Sequence, residues 1–376
     1  LVEAVESEDS IGLQGTQAGF MPTRKTPRNT NTLVVRAGFN TSQWKKNRQI
    51  ASYSAEAAEM AADPAPFQMT KVDPIMNSKS LGTGAIMSTF NHQEAFSRNV
   101  GVVSKDEHAR LHNCTVAIAG MGGVGGDYLI SLIRAGVGGF HLAEFDEFEI
   151  HNFNRQYGAN TQTIGRPKLE VMVEMALAIN PDLRIETFPE GVSTANVDRF
   201  LDGVDLAIDA MDVFAVDMHP LLVNAASAKG LTTIAAVPLG LGSGILAFGP
   251  KGMSYADYFA ITPDMSEDEK VIQFALGFAP EMFHLKYLDP KSINLKARKG
   301  PSSVAGCKLC SGFITTQALL ALLHPEEMQY VPWYTYVDAR LNKYRHRQLW
   351  MGNRNPIQRI KSFVARKRLE KQSVQS

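Results

Sequence analysis

Residues Thr115–Gly126 read TVAIAGMGGVGG. The β-branched and small residues of Thr115–Ala119 predict a buried strand, and the run breaks at Gly120 into a glycine turn, with a helix beginning near Val124. Gly120 and Gly122 let the backbone turn tightly and approach a phosphate with no Cβ in the way. Gly125 lets the helix pack closely on the strand, and the helix N-terminus offers unpaired N–H groups to an anion. Such a loop alone fits any nucleotide-binding α/β domain, so the residues C-terminal to it decide the ligand.

A second strand, Gly139–Phe145, ends in Glu144 and Asp146, about 24 residues past the first glycine, where a dinucleotide-binding fold places the acid that bonds a ribose hydroxyl. Asn152, Arg155 and Gln156 come at once, then Lys168 in GRPK, then a strand over 205–208 that ends in DAMD at Asp209–Asp212. Two further cations and a second acidic pair exceed what a pyrophosphate needs. A nucleoside triphosphate with magnesium uses both, the cations for phosphates and a carboxylate for the metal.

GxGGxG, an acidic strand end, NxxRQ, GxxK and DxxD, in this order, resemble the ThiF/MoeB/HesA adenylyltransferases related to ubiquitin-activating enzymes. The resemblance runs from about Ala95 to Leu323. It implies that Gly120, Gly122, Gly123 and Gly125 floor the triphosphate and that Glu144 takes the ribose hydroxyls. It further implies that Asp146 orients the neighbouring Asn/Arg loop and that Asn152 fixes that loop beside Arg155. Arg155 and Lys168 then meet the phosphates, Asp212 holds magnesium, and Asp209 supports the strand end. The family usually has Asp where Glu144 stands. Phe96-Ser97-Arg98-Asn99 lies where the family carries an arginine that reaches across a dimer to the γ-phosphate, so the resemblance implies a homodimer with Arg98 as that finger.

The implied reaction is ATP-dependent activation of a carboxylate as an acyl-adenylate, with release of pyrophosphate. The substrate is the tail of a ubiquitin-like or sulfur-carrier protein, a peptide, or a small acid. A carboxylate is already anionic, so the chemistry needs positioning and charge neutralisation with no general base. A nicotinamide- or flavin-dependent oxidoreductase on the same scaffold is the first alternative; hydride transfer has no use for Arg155, Lys168 and Asp212. A non-catalytic scaffold is the second, and the intact phosphate and metal positions oppose it.

Cysteine departs from the family pattern, since many relatives carry two CxxC pairs around zinc. Here only Cys307-Lys-Leu-Cys310 has that spacing, and a structural zinc site needs four ligands. The pair stays open as a zinc site completed by His284 or His324, as a redox or nucleophilic pair with thiol pKa values lowered at a helix start, or as packed core thiols. Cys114 reads as a core thiol.

The order of elements predicts helix 105–111, strand 115–119, helix 124–135, strand 139–145, helix 168–179, strand 183–188, helix 194–201, strand 205–208, helix 213–229 and strand 232–237. That alternation is an α/β fold: a doubly wound, mostly parallel Rossmann-like sheet with a smaller C-terminal portion covering the substrate. Three parts are expected, an extension over 1–90 with a helix near Ala55–Ala62, an ATP-binding domain over 91–250, and a portion over 251–376. The last holds a capping-box helix at Ser266-x-x-Glu269, a helix over Phe313–Leu323 and a basic tail from Arg340. The extension reads as a loose segment or a clamp for a peptide or partner protein, and the tail as a solvated, partly helical segment or a binder of RNA or acidic peptide. Leu231–Gly249 carries no charge over nineteen residues, but its four glycines and Pro238 favour a buried strand plus loop over a membrane span.

Lys+Arg and Asp+Glu are both 38, so net charge argues for neither nucleic acid nor membrane. Three cysteines and an N-terminus, LVEAVESEDS, without an apolar core point to the cytoplasm.

Overall fold

The computed structural model describes residues 90–289, 292–293 and 297–375. The expected extension, including its Ala55–Ala62 helix, lies outside them. The described residues form one compact unit. Eight strands make its sheet: β1 Thr115–Ala119, β2 Gly139–Ala143, β3 Arg184–Phe188, β4 Leu206–Asp209, β5 Thr232–Leu239, β6 Gly242–Phe248, β7 Trp333–Asp338 and β8 Lys343–Gln348. Their order is β3-β2-β1-β4-β5-β6-β7-β8. The first five are parallel, and β6, β7 and β8 extend the sheet antiparallel.

The helices are α1 His92–Ala95, α2 Lys105–Asn113, α3 Gly125–Ala135, α4 Lys168–Ile179, α5 Val197–Phe200, α6 Met218–Ala228, α7 Tyr255–Phe259, α8 Glu267–Phe278, α9 Val304–Leu323 and α10 Pro356–Gln375. Strand β1 shows why helices cover both faces. Val116 and Ile118 enter one apolar layer with Tyr128, Leu132 and Ile314, while Ala117 and Ala119 enter the other with Phe188, Phe200 and Leu222. A strand buried on both sides reads as an unbroken apolar run. A third cluster of Phe248, Tyr258, Phe259, Phe274 and Tyr336 fills the antiparallel end.

Several boundaries differ from the sequence reading. Strand β2 stops at Ala143 because Glu144 turns its carboxylate back onto the N–H groups of Phe145 and Asp146. Helix α6 begins at Met218, since 212–217 form a turn, and α5 has only four residues. The uncharged Leu231–Gly249 segment is two paired strands, β5 and β6, rather than a strand plus loop. Helix α9 starts nine residues before Phe313, capped by Ser303, whose side chain accepts from the Gly306 N–H. Of the described helices α9 alone is long and apolar enough to cross a membrane, and it packs its buried face on α3, β5 and β6. The tail from Arg340 supplies an edge strand before its helix.

Register places the functional edge. Ala119 sits opposite Ala143 on one side and Asp209 on the other, so β1, β2 and β4 end together. The Gly120 N–H donates to Ala143 O at 2.8 Å, and the Ala210 N–H to Ala119 O at 2.9 Å. Strand order reverses at β1, where open α/β sheets hold their ligands.

Gly120 has φ +98°, and a Cβ there would lie 2.6 Å from Ala210 O. At Gly125 a Cβ would lie 1.8 Å from Gly120 O, so helix and turn touch through backbone. Gly122 has no neighbour closer than 3.9 Å to such a Cβ. Gly125→Ala should therefore cost on the order of 3 kcal/mol or prevent folding, whereas Gly122→Ala should keep the wild-type urea midpoint. Equal midpoints for the two variants would refute the backbone contact.

Candidate active site

Helix α3 begins at Gly125 after Val124, which makes no side-chain cap bond, so its first N–H groups have no side-chain acceptor. Glu144 holds the turn before it. Its Oε2 accepts from the Met121 N–H at 2.8 Å, and Oε1 from Phe145 and Asp146 at 2.9 and 3.0 Å. A carboxylate has about four lone-pair sites, so one remains uncommitted. Glu144 is thus a brace between β2 and the glycine turn, whatever else it binds.

Asn152 closes the turn Ile150–Asn152 by accepting from the Glu149 N–H at 2.9 Å, and its carbonyl accepts from Arg155 and Gln156 at 3.1 and 2.9 Å. That turn lays two side chains against the glycines. Arg155 Nε is 3.2 Å from where a Gly123 Cβ would be, and Gln156 Nε2 is the nearest atom at Gly122. Gln156 is buried, and among the described residues its Oε1 has no hydrogen-bond partner. An unpaired buried acceptor beside a loop with room above it fits a ligand that brings a donor. Arg155 donates to Asn154 Oδ1 at 2.9 Å.

Asp146 meets Lys168 instead of the Asn152–Arg155 loop. Lys168 Nζ donates to Asp146 Oδ2 at 2.9 Å, and its N–H to Asp146 O at 2.9 Å, at the first residue of α4. The ammonium is buried while Asp146 is half exposed. The lysine is therefore held in place with its charge already paired.

The two acids of DAMD differ in what they hold. Asp209 is buried, its Oδ1 accepting from the Met211 N–H at 3.2 Å and its Oδ2 lying 2.7 Å from His219 Nδ1. Asp212 is exposed, with Oδ1 accepting from the Phe214 N–H at 3.0 Å. An exposed carboxylate just past the end of β4 suits a cation with phosphate ligands, and Asp209 is engaged elsewhere. His219, on α6, is the residue that sequence reading missed. Its Nε2 lies 3.1 Å from Asp212 O, and its ring stacks on Phe274 at 4.6 Å. Burial works against its charge, but the Asp209 carboxylate and Asp212 together outweigh it and raise the pKa. Both ring nitrogens face acceptors, which suits the imidazolium. Only the fold could identify it, as a histidine ten residues from an aspartate carries no signal.

Arg98 lies on the exposed turn Ser97–Asn99. Asn99 Nδ2 donates to Arg134 O at 2.8 Å, at the last turn of α3. The eleven residues of α3 rise about 16 Å from the glycine turn, so Arg98 is held at the far end of that helix from its own loop.

The CxxC cysteines lie inside α9, while Cys114 caps α2 before β1. Cys307 and Cys310 are buried free thiols, with Sγ 3.8 Å from Ser302 Oγ and 3.1 Å from Ser243 Oγ respectively. Burial pushes the Cys307 thiol up and Cys310 up to about 12, the reverse of the lowered values expected at a helix start. Desolvation of the thiolate is the larger effect here. The zinc completion also fails to fit. His284 Nδ1 is 2.7 Å from Tyr336 Oη, and His324 Nε2 is 2.9 Å from Glu107. The one convergent ligand group among the described residues, His324, Glu326 and Glu327, contains no cysteine. Cys307 instead borders the site, 3.8 Å from a Gly123 Cβ position.

The chain resembles known proteins in sequence and fold. The model of the ThiF family matches residues 96–359. Over 125 residues the chain is 36% identical to a tRNA threonylcarbamoyladenosine dehydratase of Bacillus subtilis (strain 168), covering 33% of this chain and 49% of that protein. Over 112 residues it is 35% identical to a sulfur carrier protein adenylyltransferase of Thermus thermophilus, covering 30% of this chain and 41% of the relative. The matches thus span about half the length of these relatives or less. The crystal structure of PaaA has a TM-score of 0.51 and 17% identity over 81% of this chain and 83% of its own, a likeness of fold.

Thiol chemistry checks the cysteine assignment. Native protein treated with iodoacetamide near pH 8 should leave Cys307 and Cys310 unmodified and purify without zinc, and both should react once unfolded. Rapid native alkylation of either, read by mass spectrometry, would reject packed thiols.

Proposed function

The chain belongs to the ThiF family of E1-like enzymes, and from that premise we propose that it uses ATP to activate a carboxylate as an acyl-adenylate. The observation that carries the reading is the convergence of the Gly120–Gly125 turn, Arg155, Gln156, Lys168 and Asp212 at the ends of β1, β2 and β4. The α3 N-terminus and glycine N–H groups receive phosphate, Arg155 offers a planar fork to it, and Lys168 adds a point charge from a fixed position. Glu144 holds the turn and directs its remaining acceptor capacity to the ribose. Asp212 would hold magnesium, which neutralises phosphate charge when bound.

In the proposed reaction a carboxylate oxygen attacks the α-phosphorus, the bond to the bridging oxygen breaks, and pyrophosphate leaves. No proton has to move, so the site's task is alignment and charge neutralisation. The carrier adenylyltransferase among the relatives supports a protein or peptide tail as the activated acid. A hydride-transfer enzyme would have no use for the paired Lys168 or for Asp212. Arg98 completes the site of a second copy in this reading, because α3 separates it from its own.

Calorimetry should find ATP binding with magnesium and no NAD binding; the opposite result would overturn the proposal. Asp212→Ala should weaken magnesium-dependent ATP binding by about 1.4 kcal/mol, ten-fold in Kd, and leave the melting curve unchanged. An unaltered Kd would remove Asp212 from the metal site.

Arg98→Ala should lower ATP–pyrophosphate exchange, assayed with carboxylate-terminated peptides, by on the order of 10³-fold. Mixing it with Lys168→Ala should restore part of the rate, since one site of the heterodimer then has both cations. No recovery despite subunit exchange seen by native mass spectrometry would exclude a finger acting between copies.

A further inference from the structure

Helix α10 turns polar residues inward and apolar residues outward, the reverse of an ordinary surface helix. Inward, Gln358 and Ser362 are buried against α8. Gln273 Nε2 donates to Ser362 Oγ at 3.2 Å, and Gln358 Nε2 to Leu276 O at 3.4 Å. Lys361 Nζ donates to the Pro280 carbonyl, and Arg366 pairs with Glu269 at 2.7 Å. Outward, Ile357, Ile360, Phe363 and Val364 are 64%, 65%, 61% and 42% exposed. Ile357, Ile360 and Val364 have the i, i+3, i+7 spacing of one helical stripe, with Phe363 beside it. Trp350 and Met351, just before the helix, are exposed as well. Polar contacts dock this helix, so its apolar side contributes nothing to the fold as it stands.

The charge of the segment narrows what covers that side. From Arg340 to Lys371 the chain has eleven Lys and Arg and a single acid, Glu370. Two copies paired through the stripe would bring these basic segments together, and like charges at close range oppose that. A surface that is anionic at its boundary and apolar just beneath matches both features. Arg359 is exposed at the flank of the stripe, and Lys367, also exposed, lies with its ammonium 5.9 Å from the Phe363 ring, close enough for its long stem to serve the stripe's boundary.

We propose that α10 is an interfacial anchor that lies flat on an anionic lipid bilayer, with Ile357, Ile360, Phe363 and Val364 at the acyl boundary and Arg359 and Lys367 among the headgroups. The anchoring is independent of the adenylation reading. It does not span the bilayer, because the same helix keeps Gln358, Ser362, Lys361 and Arg366 bonded to the protein.

Flotation of the full chain with vesicles tests this. Binding is expected to phosphatidylcholine vesicles that contain phosphatidylglycerol, little to phosphatidylcholine alone, and less at high salt. Ile360→Asp and Phe363→Asp should each reduce partitioning on the order of ten-fold or more. Both positions are exposed, and unchanged circular dichroism melts verify folding. Arg359→Glu combined with Lys367→Glu should weaken binding with the stripe intact. Wild-type binding by the stripe variants, or no preference for the anionic vesicles, would overturn the proposal. Loss of a wild-type dimer in the stripe variants, seen by sedimentation velocity, would assign the face to a second copy and overturn it too.

Discussion

The contact between the Gly125 backbone and the carbonyl of Gly120 is the constraint from which the site is built. A Cβ at Gly125 would fall 1.8 Å from that oxygen, so α3 starts directly on the end of β1. The close start aims the helix N-terminus at the space beyond β1, where an anion is stabilised by backbone N–H groups. Glu144 then ties the turn to β2 through Met121. Because β1, β2 and β4 end in register, the acids and cations just past each strand gather around the same turn.

The charged groups are organised before any nucleotide arrives. Lys168 rests on Asp146, and His219 bridges Asp209 and the backbone of Asp212. Buried ions without partners are costly, so pairing is what allows these charges to be held at the sheet edge. Exchanging one anionic partner for another would keep Lys168 compensated. Asp209 has the opposite fate. Its buried link to His219 makes it a brace, while Asp212 stays exposed just beyond it.

Helix α9 links the site to the antiparallel end of the sheet. Its Lys308 pairs with Asp127 in the first turn of α3 at 2.9 Å, and its Cys310 meets Ser243 on β6. The start of α3 is therefore supported by side chains from a distant part of the chain as well as by its glycines. The long helix is apolar enough to resemble a membrane span, yet its buried face completes the core above β5 and β6.

The glycine turn, the five parallel strands and the positions of Arg155, Lys168 and Asp212 were legible from residue order, because local backbone demands and strand-end spacing leave a direct trace in sequence. The partners of those residues left none. Asp146 meeting Lys168 and His219 meeting Asp209 depend on which loops the register brings together. The same is true of Cys307 and Cys310. CxxC spacing left zinc, redox and packed-thiol readings open, because thiol pKa depends on desolvation, and desolvation depends on whatever packs on α9. Strands β6 and β8 escaped notice because glycine-rich and cationic segments form strands through pairing with neighbours rather than through their own pattern, whereas β7, WYTYVD, carries an aromatic and β-branched strand pattern that went unread. Sequence by itself determined the glycine turn and the parallel sheet, through constraints local to the backbone. Tertiary structure alone decided the pairing of the charges, the state of the thiols and the outward apolar face of α10, since burial and electrostatics are set by residues far apart in the chain.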